Sequence, residues 1–250
     1  MDDRQLLRYS RHILLPDFDL AGQEALLAGS VLLVGAGGLG SPAALYLAAS
    51  GIGQMTIADG DTVELSNLQR QIIHQTRSIG QNKAESACRE ASDLNPDIRI
   101  TSIARHLTGT ELEDQVARHD VVVDASDNFA TRHAINRASV SCKKPLVSGA
   151  ALRTSGLLTT FDQRLPDSPC YSCLFPESAD DPEVDRCSES GVFSPLTGMI
   201  GTLQAAEAIK LITGWGESLH GRLIRFDIRS AGWNELRLKR DPACPVCSAS

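Results

Sequence analysis

The sequence predicts an α/β fold, in which a doubly wound, mostly parallel sheet is extended by antiparallel strands. Short apolar runs alternate with helical patterns through the first 150 residues, and this rhythm is typical of a parallel sheet that helices cover on both faces. After residue 150 the pattern changes to alternating apolar and polar residues with one strong helix among them, which indicates antiparallel strands.

Each element has a local signal. Parallel strands are predicted at residues 31–34, 55–58, 98–103, 121–124 and 145–148. Between them, one helix is predicted with Ser41 as its N-cap, Pro42 at its first position and Gly51 just past its end, and residues 80–94 and 129–142 are long enough for two more. The antiparallel strands are predicted at residues 156–162, 222–228 and 233–239, the late helix at 203–213, and a mobile, acidic, Ser-rich segment at 176–190.

Composition narrows the class of protein. A chain of 250 residues with 42% hydrophobic residues predicts one compact domain. A net charge of −7 argues against nucleic acid and anionic membranes as partners. The uncharged stretch 25–58 is interrupted by glycines and a proline, so it indicates a strand, a turn and a helix instead of a membrane span. Seven cysteines and no leading signal peptide predict a cytoplasmic location.

A glycine turn predicts a nucleotide site. Gly35, Gly37 and Gly40 follow the first strand in the order G-x-G-x-x-G, where backbone N–H groups at a helix N-terminus bind phosphate. The next strand delivers Asp59, 24 residues after Gly35, where a carboxylate accepts hydrogen bonds from ribose hydroxyls. Asp61 competes for that role. This Rossmann-like stretch alone leaves NAD open as the ligand.

Downstream residues favour a triphosphate. Asn67, Arg70 and Lys83 follow the acidic strand end, and Asp127 follows the strand at 121–124. Two cations and an amide neutralise phosphate charge, and a carboxylate at a strand end is well placed to hold Mg²⁺. The alternatives are that Arg70 and Lys83 are solvated surface charges and that Asp127 caps the helix near Phe129. No arrangement for hydride transfer stands out.

Four cysteines have metal-ligand spacing. The pairs Cys170/Cys173 and Cys244/Cys247 are both C-x-x-C, and two such pairs complete a tetrahedral zinc site of structural type with four cysteine ligands. Redox dithiols are the alternative. Cys88 and Cys142 fall in or at predicted helices and are interpreted as idle thiols. Cys187 lies in a polar, acidic stretch, where we expect it to be exposed; a chemical role and an incidental one remain open for it.

Taken together, these motifs resemble the MoeB/ThiF family, the bacterial relatives of ubiquitin-activating enzymes. The resemblance covers nearly the whole chain and rests on RYSRHILLP at 8–16, VLLVGAGGLGSPAALYLA at 31–48, SNLQRQ at 66–71, ASDN at 125–128, the two C-x-x-C pairs and GTLQAAEAIK at 201–210. It implies one adenylation domain over 1–250, with N-terminal helices at 1–30, a nucleotide-binding half at 31–150 and an antiparallel, zinc-binding half at 151–250.

The resemblance also implies a reaction. ATP would adenylate the C-terminal Gly-Gly carboxylate of a small ubiquitin-like sulfur carrier and release pyrophosphate. The carrier would be of the ThiS type, used for the thiamine thiazole, or alternatively of the MoaD type, used for molybdopterin. Ala125-Ser126 departs from the Cys-Thr that is frequent in the family at this position. The sulfur donor is expected to be a separate protein, a cysteine desulfurase or sulfurtransferase, since the sequence has three residues after Cys247.

Site residues are carried over by position. Asp59 would bind the ribose, Gly38 the nucleotide, and Asn67, Arg70 and Lys83 the phosphates. Asp127 would hold Mg²⁺. Arg11 would reach the ATP of the opposite subunit, which implies a homodimer. Cys170, Cys173, Cys244 and Cys247 would bind zinc, and Cys187 matches a loop cysteine that forms an acyl-disulfide with the carrier.

Overall fold

An eight-stranded mixed sheet forms the centre of the protein in the computed structural model, which describes residues 1–177 and 191–248. Its strands are β1 (Ser30–Val34), β2 (Gln54–Ala58), β3 (Arg99–Ile103), β4 (Val121–Asp124), β5 (Leu146–Leu152), β6 (Ser155–Phe161), β7 (Arg222–Asp227) and β8 (Gly232–Arg237). They lie in the order β3-β2-β1-β4-β5-β6-β7-β8. The first five are parallel and the last three antiparallel, which confirms the predicted fold class.

Helices flank the sheet. They are α1 (Asp3–Arg8), α2 (Ser10–Ile13), α3 (Asp19–Ala28), α4 (Gly40–Ser50), α5 (Lys83–Leu94), α6 (Gly109–Arg118), α7 (Phe129–Ser141), α8 (Tyr171–Leu174) and α9 (Ser194–Thr213), with short 3-10 helices at Leu65–Asn67 and Thr76–Ser78. In the part of the chain described, each helix is too short or too polar to cross a lipid bilayer.

Both faces of the central parallel strands are buried. Val31 and Leu33 of β1 pack on one face with residues of α4, α5 and α9, while Leu32 and Val34 pack on the other with residues of α6 and α7. Successive side chains of a strand point to opposite faces, so a strand covered on both sides must be apolar throughout. This explains the continuous apolar run that precedes the glycine turn.

The predicted starts of two helices differ from the structure, and a third helix was not predicted. Ser41 is not the N-cap of α4, because its hydroxyl donates to the carbonyl of Gly37 and Leu39 occupies the cap position. Helix α9 begins nine residues earlier than predicted, with Pro195 in its first turn. Helix α6, for which the sequence analysis gives no bounds, connects β3 to β4. The segment predicted to be mobile, 176–190, falls almost entirely outside the described residues.

Helix α7 has its own cap. The side chain of Asn128 accepts a hydrogen bond from the N–H of Thr131 at 2.9 Å, which satisfies a donor that the first turn of a helix leaves open. The alternative role of Asp127 as this cap is therefore wrong. Asp127 is exposed, and its carboxylate is available to a ligand.

Candidate active site

Three strand ends meet at one point of the sheet. The chain runs outward from β1 to β3 and then returns to the other side of β1 with β4, so the order reverses between β1 and β4. Val34 pairs with both Ala58 and Asp124 in register. Open α/β sheets bind ligands in the crevice at such a reversal, outside the carboxyl ends of the strands. The glycine turn, Asp59 and the loop that carries Asp127 all begin there.

The glycine turn and the loop after β4 are in close contact. Gly35 has a φ of +99°, and a Cβ placed on it would lie 2.6 Å from the carbonyl oxygen of Ala125. Only glycine fits such an approach of two backbones at a positive φ. The contact brings the loop of Asp127 against the glycine turn.

The amino-terminal end of α4 has free hydrogen-bond donors. No side chain caps this helix, and no described residue accepts a hydrogen bond from the N–H groups of Gly37, Gly38, Leu39 or Gly40. Unpaired N–H groups and the positive end of the helix dipole together favour an anion. The error about Ser41 is informative here, because a capping side chain would have occupied a donor that is left for a ligand.

Asp59 and Asp61 differ in the groups that they contact. Asp59 is only 8% exposed; its Oδ2 accepts from the N–H of Ala36 at 2.8 Å and its Oδ1 from the N–H of Asp61 at 2.8 Å. Asp61 is exposed, and its Oδ2 lies 2.9 Å from Nζ of Lys83. Asp59 is thus fixed against the glycine turn, while Asp61 pairs with a cation. This arrangement favours Asp59 over Asp61 for a ribose.

Two of the three candidate phosphate ligands, Asn67 and Arg70, lie on one segment beside the turn. Asn67 is buried and its Oδ1 accepts from the N–H of Glu64 at 3.1 Å, while Nη1 of half-buried Arg70 donates to the carbonyl of Ser66 at 3.2 Å. Nε2 of Gln71 lies 3.6 Å from the position of a Cβ on Gly37. The contact at Gln71 places the segment of Asn67 and Arg70 next to the glycine turn.

Lys83 is more enclosed than a solvated surface charge. Its side chain is 9% exposed and its Nζ is paired with Asp61. Asn82 caps α5 and donates from its amide to the carbonyls of Asp59 and Asp61 at 3.0 and 3.1 Å. The amino-terminal end of α5 is therefore joined to the end of β2, where the ribose is predicted.

Two carboxylates lie near the end of β4, and only one is available to a ligand. Asp124 is 1% exposed, its Oδ1 accepts from the N–H and the hydroxyl of Ser126, and burial raises its pKa. Because the carboxyl of Asp124 is almost fully enclosed whereas Asp127 is exposed, Asp127 is the candidate for a cation on the phosphates.

Arg11 lies away from these contacts. It is exposed on α2, and its side chain makes no hydrogen bond or ion pair with another described residue.

Cys187 lies outside the described residues. Cys88 and Cys142 are half-buried, and burial raises the pKa of both thiols, in agreement with their interpretation as idle.

The two C-x-x-C pairs converge on one centre. Their sulfur atoms all lie within 4.8 Å of one another, with Cys170 to Cys244 at 3.7 Å, Cys170 to Cys173 at 4.0 Å and Cys173 to Cys247 at 3.5 Å. A tetrahedral ion with bonds of about 2.3 Å to sulfur places its ligands about 3.8 Å apart. These distances fit one metal ion shared by both pairs, which favours a metal site over two separate redox dithiols.

Surrounding groups support the sulfurs as metal ligands. The N–H of Asp241 lies 3.4 Å from Sγ of Cys173, and Nδ2 of Asn136 lies 3.6 Å from Sγ of Cys170. Such donors orient the sulfur ligands of metal sites. Burial raises the pKa of Cys170 to about 11, so a thiolate at Cys170 is stable at neutral pH only beside a cation. The cluster joins the C-terminal segment to the chain that follows β6.

Two further residues hold the site together and were not predicted as site residues. His74 is buried and lies 2.9 Å from the carbonyl oxygen of Ala36. Gln204 of α9 is buried and donates to the carbonyl of Asp124 at 2.6 Å. Both contacts join segments far apart in the chain, so periodicity and motif spacing could not have revealed them.

The fold and the site together define a Rossmann-like nucleotide-binding protein with a cluster of four cysteines that could hold a metal ion. The model of the ThiF family matches residues 9–246. Over 250 residues the chain is 47% identical to the sulfur carrier protein ThiS adenylyltransferase of Escherichia coli K12, covering 100% of this chain and 98% of that protein. It is 45% identical to the molybdopterin-synthase adenylyltransferase of the same strain, covering 99% of this chain and 98% of that one. The chain belongs to the ThiF family.

A solved structure agrees with this assignment. E. coli MccB, in a crystal structure with ATP, is 26% identical and superimposes with a TM-score of 0.83 over 96% of this chain and 73% of that one. Since the curated relatives are adenylyltransferases, this chain is an enzyme of the nucleotidyltransferase class. The NAD-dependent oxidoreductase that the glycine turn alone left open is thereby set aside.

Proposed function

We propose that this enzyme uses ATP and Mg²⁺ to adenylate the C-terminal Gly-Gly carboxylate of a small ubiquitin-like sulfur carrier of the ThiS type, with release of pyrophosphate. The observation that supports this most is the contact of Gly35 with Ala125, which sets an exposed carboxylate, Asp127, beside a helix end with unpaired N–H groups. A relative that matches the full chain is named for the adenylation of ThiS. A MoaD-type carrier is the second candidate, favoured by the relative named for molybdopterin synthase.

The chemistry requires neutralisation of charge more than transfer of protons. A carboxylate is ionised at neutral pH, so it needs no general base, but a triphosphate repels it. Arg70, Asn67 and Lys83 would bind the phosphates, and the N–H groups near Gly38 would donate to a phosphate oxygen. Lys83 is already paired with Asp61, which would hold its ammonium group in one orientation before ATP arrives. Asp59 would bind the ribose.

Two metals would serve separate purposes. Asp127 would hold Mg²⁺, which supplies positive charge to the phosphates and their leaving group. Cys170, Cys173, Cys244 and Cys247 would hold zinc, and because all four ligands are protein sulfur, that ion would be structural. Four reduced thiolates suit a reducing compartment, which supports a cytoplasmic location.

The carrier itself can be identified by pyrophosphate exchange. The enzyme would be mixed with ATP, Mg²⁺, labelled pyrophosphate and either a ThiS-type or a MoaD-type carrier. We expect exchange with the intact ThiS-type carrier and none with the same carrier lacking its terminal glycines, because the attacking carboxylate would then end short of the α-phosphorus. Exchange with the MoaD-type carrier alone would show that the enzyme acts on that carrier, the second candidate. If neither carrier supports exchange although ATP binds, the proposed reaction is wrong.

The site is proposed to be shared between two subunits of a homodimer. Arg11 is exposed and its side chain is unpaired among the described residues of its own chain, and several large apolar side chains near it in sequence are exposed as well, among them Leu7 at 78% and Leu14 at 71%. A second copy of the chain would cover this face, and Arg11 would reach the ATP of its partner.

Complementation tests the shared site. Arg11→Ala and Asp127→Ala are each expected to be inactive as homodimers. When the two variants are co-expressed, a mixed dimer contains one site with both residues intact, so about a quarter of the wild-type activity should return if the chains pair at random.

Co-expression of Asp127→Ala with Lys83→Ala is the matched control for this complementation. Both residues would belong to the subunit that binds the ATP, so each site of the mixed dimer lacks one of them and no activity should return. If Arg11→Ala also fails to restore activity to Asp127→Ala although mixed dimers form, Arg11 serves its own subunit and the shared site is wrong.

Sulfur transfer would follow adenylation. The acyl-adenylate prepares the carrier for thiocarboxylate formation, and a cysteine desulfurase or a sulfurtransferase would supply the sulfur. Cys187 is proposed to form an acyl-disulfide with the carrier, a role that rests on the sequence resemblance alone.

A further inference from the structure

His74 connects the glycine turn to α5. The ring is 6% exposed; Nε2 lies 2.9 Å from the carbonyl oxygen of Ala36, and Nδ1 lies 3.0 Å from the hydroxyl of Ser86. A carbonyl oxygen only accepts hydrogen bonds, so Nε2 carries the proton. Nδ1 of the neutral ring then accepts from the Ser86 hydroxyl. Burial lowers the pKa of His74, which is consistent with this neutral form.

This contact sets the direction of the next N–H group. In a planar trans peptide the carbonyl and the N–H point in opposite directions. The bond from His74 holds the Ala36 carbonyl toward the protein interior, so the N–H of Gly37 must point away from the ring, out of the interior. The N–H of Ala36 itself is fixed by Asp59 at 2.8 Å. Both sides of Ala36 are therefore constrained, and Gly37 is the first of the unpaired donors that follow.

We propose that His74 is a positioning residue for the nucleotide: by donating to the Ala36 carbonyl, it keeps the unpaired N–H groups of the glycine turn directed at the phosphates of ATP. The inference rests on the proposed ATP site and is independent of which carrier is adenylated. Without this bond the Ala36–Gly37 peptide is free to rotate, and the turn must be ordered again each time a nucleotide binds.

His119 provides a matched comparison. It is 1% exposed, its Nδ1 lies 2.6 Å from the carbonyl of Gln115 and its Nε2 lies 2.8 Å from the hydroxyl of Thr56. Burial lowers the pKa of His119 as well. However, it lies just before β4 and so at the amino-terminal edge of the parallel strands, opposite the site. Loss of either histidine should destabilise the fold by a similar amount, whereas only His74 should affect ATP.

The experiment measures ATP affinity and stability of the same variants. Binding of ATP with Mg²⁺ is titrated by calorimetry without a carrier, and thermal unfolding is recorded for each protein. His74→Ala is expected to raise the Kd of ATP roughly three- to tenfold, the range for one lost hydrogen bond, and His119→Ala to leave it unchanged. In carrier-dependent exchange, His74→Ala should raise KM for ATP with little change in kcat or in KM for the carrier.

Two milder variants keep the test decisive should His74→Ala fail to fold. His74→Gln retains an N–H donor near the position of Nε2, so it should recover most of the affinity. Ser86→Ala keeps the ring but removes the hydroxyl that fixes its tautomer, so it should weaken ATP binding by a smaller factor.

Three results would overturn the proposal. They are wild-type ATP affinity in His74→Ala, wild-type affinity in Ser86→Ala when the alanine variant is unfolded, and an equal loss of affinity in His119→Ala. A wild-type enzyme that binds ATP but shows no exchange would instead refute the proposed reaction alone.

Discussion

Asp127→Ala is expected to abolish Mg²⁺-dependent release of pyrophosphate while the thermal unfolding of the protein stays unchanged. The carboxylate is exposed, its one hydrogen bond with a described residue is a long one of 3.5 Å from the amide of Asn128, and Asn128 itself caps α7. The substitution therefore removes a proposed cation ligand and little structural contact. Loss of a group that stabilises developing phosphate charge typically costs at least about 10²-fold in rate. Single-turnover release of pyrophosphate from ATP and carrier measures this step directly.

Two control variants isolate the effect. Asp114→Ala removes another exposed carboxylate, from α6, and should leave both rate and stability as they are. Asn128→Ala removes the adjacent cap and should reduce stability by about 1 kcal/mol. Near-normal pyrophosphate release by Asp127→Ala would refute its assignment as the Mg²⁺ ligand, and a variant that unfolds early would show that Asp127 has a structural role.

Cys170→Ser is expected to remove the bound metal and to lower the melting temperature strongly. The residue is fully buried, and the cluster joins the C-terminal segment to the chain after β6. Metal sites of this type contribute their binding free energy to folding, so a loss of about 5 kcal/mol would lower Tm by roughly 10–20 °C in a chain of this size. Calorimetry and elemental analysis of the purified protein record both quantities.

Cys88→Ser is the matched control for the cluster. Cys88 is half-buried on α5, and its sulfur lies 3.7 Å from the carbonyl oxygen of Ile100, away from the other cysteines. We expect this variant to keep its metal and to change Tm by a few degrees at most. A Cys170→Ser protein with the metal content and Tm of the wild type would show that the four sulfurs form no metal site.

The parallel part of the fold could be predicted because a strand buried on both faces is a continuous apolar run in the sequence. Val121 to Asp124, for example, form an apolar run between polar segments and are β4 in the structure. The cysteine cluster was predictable for a related reason, since ligand spacing within each pair is local. The meeting of the two pairs, 71 residues apart between Cys173 and Cys244, was also predicted, and the structure confirms it.

Other features depend on partners that a sequence does not disclose. Ser41 has the residue type and position of a cap, but the carbonyl of Gly37 lies within reach of its hydroxyl and the bond forms in the other direction. The pairing of Lys83 with Asp61 spans 22 residues, and that of Gln204 with the end of β4 spans 80. Each is a tertiary contact that local propensity neither favours nor opposes.

The three glycines of the G-x-G-x-x-G turn carry different information. A Cβ on Gly35 would lie 2.6 Å from the Ala125 carbonyl, and one on Gly40 would lie 2.0 Å from the carbonyl oxygen of Gly35; both positions are reserved for glycine by the chain itself. A Cβ on Gly37 would come no closer than 3.6 Å to its nearest neighbour, Gln71. Gly35 and Gly40 are thus required by the packing of the backbone. Any protein that folds in this way would need these two glycines even without a ligand. Gly37 alone is left for a ligand to explain, which is why the motif by itself could not decide between NAD and ATP.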